Sequence, residues 1–297
     1  MTQSERIRRR KMYARRRKIL AAIVALCIVG LLLLLVSLLR LFAEPASTKP
    51  ESSSPSSSVE SSVETTPPTT APTSPVPAIP AVNSDLDNRI SAGGALVYDT
   101  ASRKLLYSKN GEAKLYPASM TKLLTAITAL EYGTDGMEFT AGSELELVAK
   151  DASTAGLEAG MRLTFPMLLD MMMLPSGNDA AYVVAAAIGR ASLEDDTASV
   201  QDAVAEFARM MNECARSLGA ENSHFVTPDG YHDPEHYTTP IDMLLITRRA
   251  MEMPAIRESV GQTSARVKML TGQDVTYWNS NQLLRPESVH YYPGCIG

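Results

Sequence analysis

PASMTKLLTA, residues 117–126, is the stretch on which the rest of the reading depends. Ser119 follows a proline and precedes an apolar run, Leu123, Leu124, Ile127 and Leu130, spaced for one helical face, so it reads as an ordinary helix start. Lys122 stands three residues further on. If the helix opens near Ser119, the i to i+3 spacing puts hydroxyl and amine on one face within reach of each other. That is the geometry of a nucleophile with its base. A serine hydroxyl is a poor nucleophile, but a lysine that is desolvated or placed near another cation can release its proton and take the serine's. The helix start also offers free N–H groups to an oxyanion. This is the only S-x-x-K in the chain, and taken alone it leaves both readings, cap and nucleophile, open.

A second polar signal, Ser176-Gly177-Asn178, interrupts the very apolar segment 162–189. A helix-to-helix turn accounts for Pro175, Gly177 and Asn178 without any function. It does not account for a serine and an amide between two apolar helices, where buried polar groups need partners. Ser108-Lys109-Asn110 has the same S-x-N pattern but reads as a hairpin exit. His232-Asp-Pro-Glu235-His236 spells H-x-x-E-H, a metalloprotease pattern that needs both histidines on one helical face. Pro234 is tolerable only in a first helical turn, which leaves His232 outside any helix containing His236, so the segment reads as a loop and no metal is expected. His224 and His290 lack ligand spacing and read as structural.

Charge is distributed unevenly. Residues 1–18 hold +8 of a formal net charge of -5, leaving -13 on the remainder. Such a split marks a basic, membrane-facing arm and not a nucleic-acid binder. Residues 19–39 contain no charge and no proline; as a helix they would extend about 31 Å, against a hydrocarbon core of roughly 30 Å. Residues 19–42 are therefore expected to form a transmembrane anchor, and the run is longer than the apolar core of a cleaved signal peptide, the competing reading. The basic cluster places the N-terminus in the cytoplasm and everything downstream outside, at the cell membrane in a single pass. Residues 43–84 form a Pro/Ser/Thr-rich linker, with nine prolines, ten serines and six threonines between 44 and 80. It cannot form a core, and would reach roughly 35 Å as a coil or about 110 Å if polyproline-like.

Residues 85–297 are long enough for one substantial core. Segment 93–111 alternates around a polar turn at 99–103 and reads as a hairpin; 265–278 reads as a second, turning at 271–274. Between them lie the Ser119 helix, the two apolar helices of 162–189 with Asn178 or Asp179 capping the second, an amphipathic helix over 199–219 closed by Gly219, and a helix opened by Thr239-Pro240. The expected class is α+β, helices covering an antiparallel sheet. Cys214 lies on the apolar stripe of the 199–219 helix and reads as core; whether it pairs with Cys295 is not decided by sequence.

Together, YPASMTKLLTA, LLDMMMLPSGNDAA and TPDGYHDPEHYTTPIDMLLITRRAM closely resemble the serine D-alanyl-D-alanine carboxypeptidases, the low-molecular-weight penicillin-binding proteins, over most of 91–297. Gly177 as the middle residue of the second motif resembles the carboxypeptidases more than the β-lactamases. The resemblance implies a β-lactamase/penicillin-binding-protein-like fold with a helical subdomain. It implies that Ser119 is the acylated nucleophile, Lys122 its proton acceptor, Ser176 a proton relay to the leaving group and Asn178 the residue that holds the substrate's amide backbone. The implied substrate is the peptidoglycan stem pentapeptide, with β-lactam antibiotics as covalent inhibitors and no metal or organic cofactor. The family's third motif, Lys-Thr-Gly on an inner strand, is expected directly after a segment like YYPGCIG, where this sequence stops, so the catalytic domain is expected to be C-terminally incomplete. A β-lactamase is the alternative enzyme, disfavoured because no E-x-x-L-N stretch is found. A non-catalytic penicillin- or wall-binding relic is the alternative of another class.

Overall fold

The structure, a computed structural model, describes residues 84–297. The basic arm, the apolar segment and all but the last residue of the linker lie outside the described residues. Among the described residues no helix is long and apolar enough to cross a membrane. Helices α1 (Ser84–Arg89), α2 (Thr121–Tyr132), α3 (Phe165–Met173), α4 (Asn178–Leu193), α5 (Val200–Ser217), α6 (Pro240–Glu252) and α7 (Pro254–Gly261) accompany strands β1 (Ala95–Asp99), β2 (Lys104–Lys109), β3 (Glu138–Thr140), β4 (Arg162–Thr164), β5 (Ser264–Lys268) and β6 (Asp274–Trp278).

Helix α4 is apolar on every side, and a helix of that composition belongs in the middle of a core. Ala180, Ala181, Val183, Val184, Ala185, Ala186 and Ile188 are all 1% exposed or less, and α2, α3 and α5 pack around them. Gly189 lets α5 approach closely, since a methyl group there would overlap the Ala203 carbonyl. Helix α5 is amphipathic, burying Val204, Phe207, Met211 and Cys214. Its Ser199 hydroxyl accepts the Asp202 N–H at 3.0 Å, and Gly219, at φ +83°, lies just past its end. Thr239 caps α6 in the same way, accepting the Asp242 N–H at 3.1 Å. Cys214 is 7% exposed, and burial, with Glu131 beside it, pushes its thiol up to about 12. Cys214 and Cys295 are both free thiols, which answers the pairing question.

The two expected hairpins form, β1 with β2 and β5 with β6, both antiparallel. The single sheet expected from them does not form among the described residues. Three separate two-stranded pairs stand instead, the first docked on α6 and the last on α3. Among the described residues no third strand pairs with either hairpin. Residues 162–164, read above as helical, are strand β4, because Leu163 is drawn opposite Phe139 of β3 and both side chains are fully buried. Helix α3 begins only afterwards, with Pro166 in its first turn.

Candidate active site

Ser119 sits in a single 3-10 turn, Ala118–Met120, that runs directly into α2. Ala118 holds φ +50°, a conformation disfavoured for any residue with a Cβ. The turn is braced from beneath by Gly230, at φ +80°, where a side chain would overlap the Ala118 carbonyl. Ser119 is thereby exposed at the surface while the next helical turn is buried. The free N–H groups expected here are reduced in number: Met120 N–H donates to the Pro117 carbonyl at 3.3 Å and Thr121 N–H to Ala118. The N–H of Ser119 itself makes no hydrogen bond among the described residues and is left for an oxyanion.

Lys122 is 2% exposed. Its Nζ lies 3.0 Å from Ser119 Oγ, 3.3 Å from Ser176 Oγ, 2.7 Å from Asn178 Oδ1 and 3.1 Å from the Asp229 carbonyl oxygen. All four residues singled out by sequence are therefore brought to one amine. Two of its neighbours, the Asn178 and Asp229 carbonyls, can only accept, and they occupy two N–H groups. The remaining tetrahedral position faces the serine hydroxyls, as an N–H in the ammonium and as a lone pair in the free amine. Burial lowers the Lys122 pKa to about 8, against the opposing pull of Asp229 and Asp179. A useful fraction of free amine therefore exists near neutral pH.

The 175–178 turn is held by an unusual backbone and by its neighbours. Ser176 has φ +60°, and at Gly177 a Cβ would lie 2.6 Å from the Met171 carbonyl oxygen. The Asn178 N–H donates to the Ser153 carbonyl at 2.8 Å, and Ser153 Oγ donates to the Pro175 carbonyl at 2.9 Å. Asp179, considered above as a helix cap, has another task. Its carboxylate accepts the Ala155 and Leu157 N–H groups at 2.8 and 2.9 Å and so ties the 153–157 loop to α4. The N-cap position is Gly177, with no side-chain cap.

Two further residues belong to this site, Asp229, which sequence reasoning missed, and His236, which it read only as part of a loop. Asp229 is 1% exposed and accepts from Asn178 Nδ2 at 2.7 Å. Thr227-Pro-Asp-Gly230 reads as a turn, and nothing in its spacing marks an inward carboxylate. His236, also 1% exposed, accepts the Val226 and Thr227 N–H groups at Nδ1, at 3.2 and 3.3 Å. Its proton is then on Nε2, which donates to Thr121 Oγ1 at 2.9 Å. Burial lowers its pKa to about 4, so it is neutral. His232, the other member of H-x-x-E-H, is exposed and lies edge-on to the Tyr116 ring. Among the described residues no group of three or more His, Cys, Asp or Glu is placed to hold a metal.

A serine whose hydroxyl contacts a desolvated lysine, with a second serine and an amide on the same amine, is similar to the pattern of the class of active-serine proteins in which a lysine can serve as base. Within that class the chain belongs to the D-alanyl-D-alanine carboxypeptidase family, which matches residues 81–292. It is 27% identical over 209 residues to the D-alanyl-D-alanine carboxypeptidase DacF of Bacillus subtilis, the match covering 69% of this chain and 49% of that protein. The chain thus spans about half the length of that relative. A Streptomyces DD-transpeptidase crystal structure superposes with a TM-score of 0.59 at 30% identity, covering 67% of this chain and 77% of that one. A penicillin-binding protein homolog from Mycobacterium tuberculosis superposes with a TM-score of 0.57 at 28% identity, over 75% and 73% of the two chains.

Proposed function

We propose that this protein removes the terminal D-alanine from peptidoglycan stem pentapeptides through an acyl-enzyme on Ser119. The free amine of Lys122 takes the Ser119 proton as Oγ bonds to the carbonyl carbon of the penultimate D-alanine. The Ser119 N–H faces the developing oxyanion. As the C–N bond breaks, Ser176 passes a proton to the leaving nitrogen, and Asn178 holds the substrate's backbone amide. Water then hydrolyses the ester. A β-lactam would enter by the same attack and remain on Ser119. The apolar segment 19–42 would anchor the enzyme, with the catalytic domain outside the cell.

The observation that carries this reading is the buried Lys122 amine, 3.0 Å from Ser119 Oγ and with its pKa lowered to about 8. The test is covalent labelling by a fluorescent penicillin. Ser119→Ala should abolish it, and Lys122→Ala should slow it by at least about a thousandfold while the fold persists. The labelling rate should rise as pH rises through about 8, where the amine loses its proton, and level off above. Labelling that survives Ser119→Ala, or that disappears in Cys214→Ala, would assign the chemistry elsewhere.

A further inference from the structure

Asp229 takes no step in the chemistry just described, yet its carbonyl oxygen and both carboxylate oxygens are engaged at or beside the site. Its carbonyl oxygen accepts from Lys122 Nζ, Oδ2 accepts from Asn178 Nδ2, and Oδ1 accepts the Tyr231 N–H at 3.0 Å. A buried carboxylate without a charge partner is costly. The cation nearest along this hydrogen-bond path is Lys122, one amide away. Carboxylate oxygens only accept, so Asp229 decides which way Asn178 faces: its NH2 toward Asp229 and its oxygen toward Lys122, at 2.7 Å. Reversed, the amide would set two acceptors against each other on one side and two donors on the other.

We infer that Asp229 is a positioning residue for the base. Acting through Asn178, it orients the Lys122 amine so that its third position faces Ser119, and it supplies the counter-charge that keeps the amine basic. The inference rests on the Ser119–Lys122 reading above. The other groups facing the amine do not duplicate this role. Ser119 and Ser176 are neutral, and His236, behind Thr121, is neutral as well. The Asp179 carboxylate is already occupied by two loop N–H groups, and the Tyr182 phenol on α4 is held protonated by burial and by Asp229.

The inference has a signed consequence. Asp229→Asn keeps the size and an acceptor but removes the charge. Lys122 then loses its proton at a lower pH and is a weaker base. In a protein that contains these 297 residues, the acid limb of the penicillin-labelling profile should move down by about one pH unit, and the plateau should fall about threefold. Loss of structure alone lowers the rate at every pH without moving the midpoint. A folded Asp229→Asn protein with an unmoved midpoint would overturn the inference.

Should that variant not fold, the wild-type chain decides by NMR. The side-chain 13C resonance of Asp229 should inflect at the pH where 15Nζ of Lys122 loses its proton, and a carboxyl signal flat through that step would overturn the coupling. A wild-type chain that never labels with penicillin would count against the proposed function, while the NMR titration would still judge the Asp229–Lys122 link.

Discussion

Two histidines four residues apart have opposite fates here, and burial separates them. His232 is exposed, whereas His236 is enclosed beneath the start of α2 with both ring nitrogens engaged. With a folded pKa of about 4 against an ordinary 6.5, His236 stays neutral in the fold where the unfolded chain would already be protonated. Its contribution is therefore fully present above about pH 6.5 and is lost as pH falls toward 4, a loss on the order of 3 kcal/mol across that window. His236→Gln, which cannot titrate, should show a shallower decline in urea stability between pH 7 and pH 4.5 than the wild type. Equal slopes would remove His236 as the cause. At this scale the residues that sequence singled out, Ser119, Ser176 and Asn178, lie round the amine of the fourth, Lys122. Sequence did not mark Asp229, and it left His236 in a loop without a part, because both depend on being enclosed by chain that is distant in sequence.

The elements that announce themselves are those with capping chemistry and a long period. Helix α5 carries its Ser199 cap and its terminal glycine, and α6 carries Thr239-Pro240, so both were legible. Helix α7 was not anticipated, having only eight residues, Pro254 among them. The β3–β4 pair has three residues in each strand, too few to display alternation, and it exists because Phe139 and Leu163 bury each other. The close seating of α5 on α4 rests on Gly189, which sequence shows only as a glycine within an apolar helix. Alanine there gains up to about 1 kcal/mol in helix propensity, but its methyl overlaps a main-chain carbonyl that cannot yield without separating the helices. Gly189→Ala should lower stability by about 3 kcal/mol in urea unfolding. Gly261→Ala in α7, where the added carbon meets only Ile296 at 3.8 Å, should change it by less than about 1 kcal/mol. Similar effects at the two sites would mean that α4 and α5 are not tightly seated.

Over the whole chain, a basic arm, an uncharged 21-residue run and a proline-rich tether precede the described domain. We propose that they hold it outside the membrane at the end of a spacer. Protease added to intact cells should release the domain by cutting between residues 44 and 84, with the arm protected and the fragment still able to take penicillin. A soluble form beginning at Glu44 without added protease would instead show signal-peptide cleavage. Within the domain, the groups that meet at the Lys122 amine lie 3, 54, 56 and 107 residues along the chain from it. The segment bearing Ser119 and Lys122 is synthesised early, but the last hydrogen-bond partner of the amine, the Asp229 carbonyl, is made more than a hundred residues later. Until that loop has closed, Lys122 is an ordinary solvated cation and Ser119 an ordinary alcohol. On the proposed mechanism, reactivity would wait until that loop is in place, and a covalent penicillin signal would count only the molecules in which it has closed.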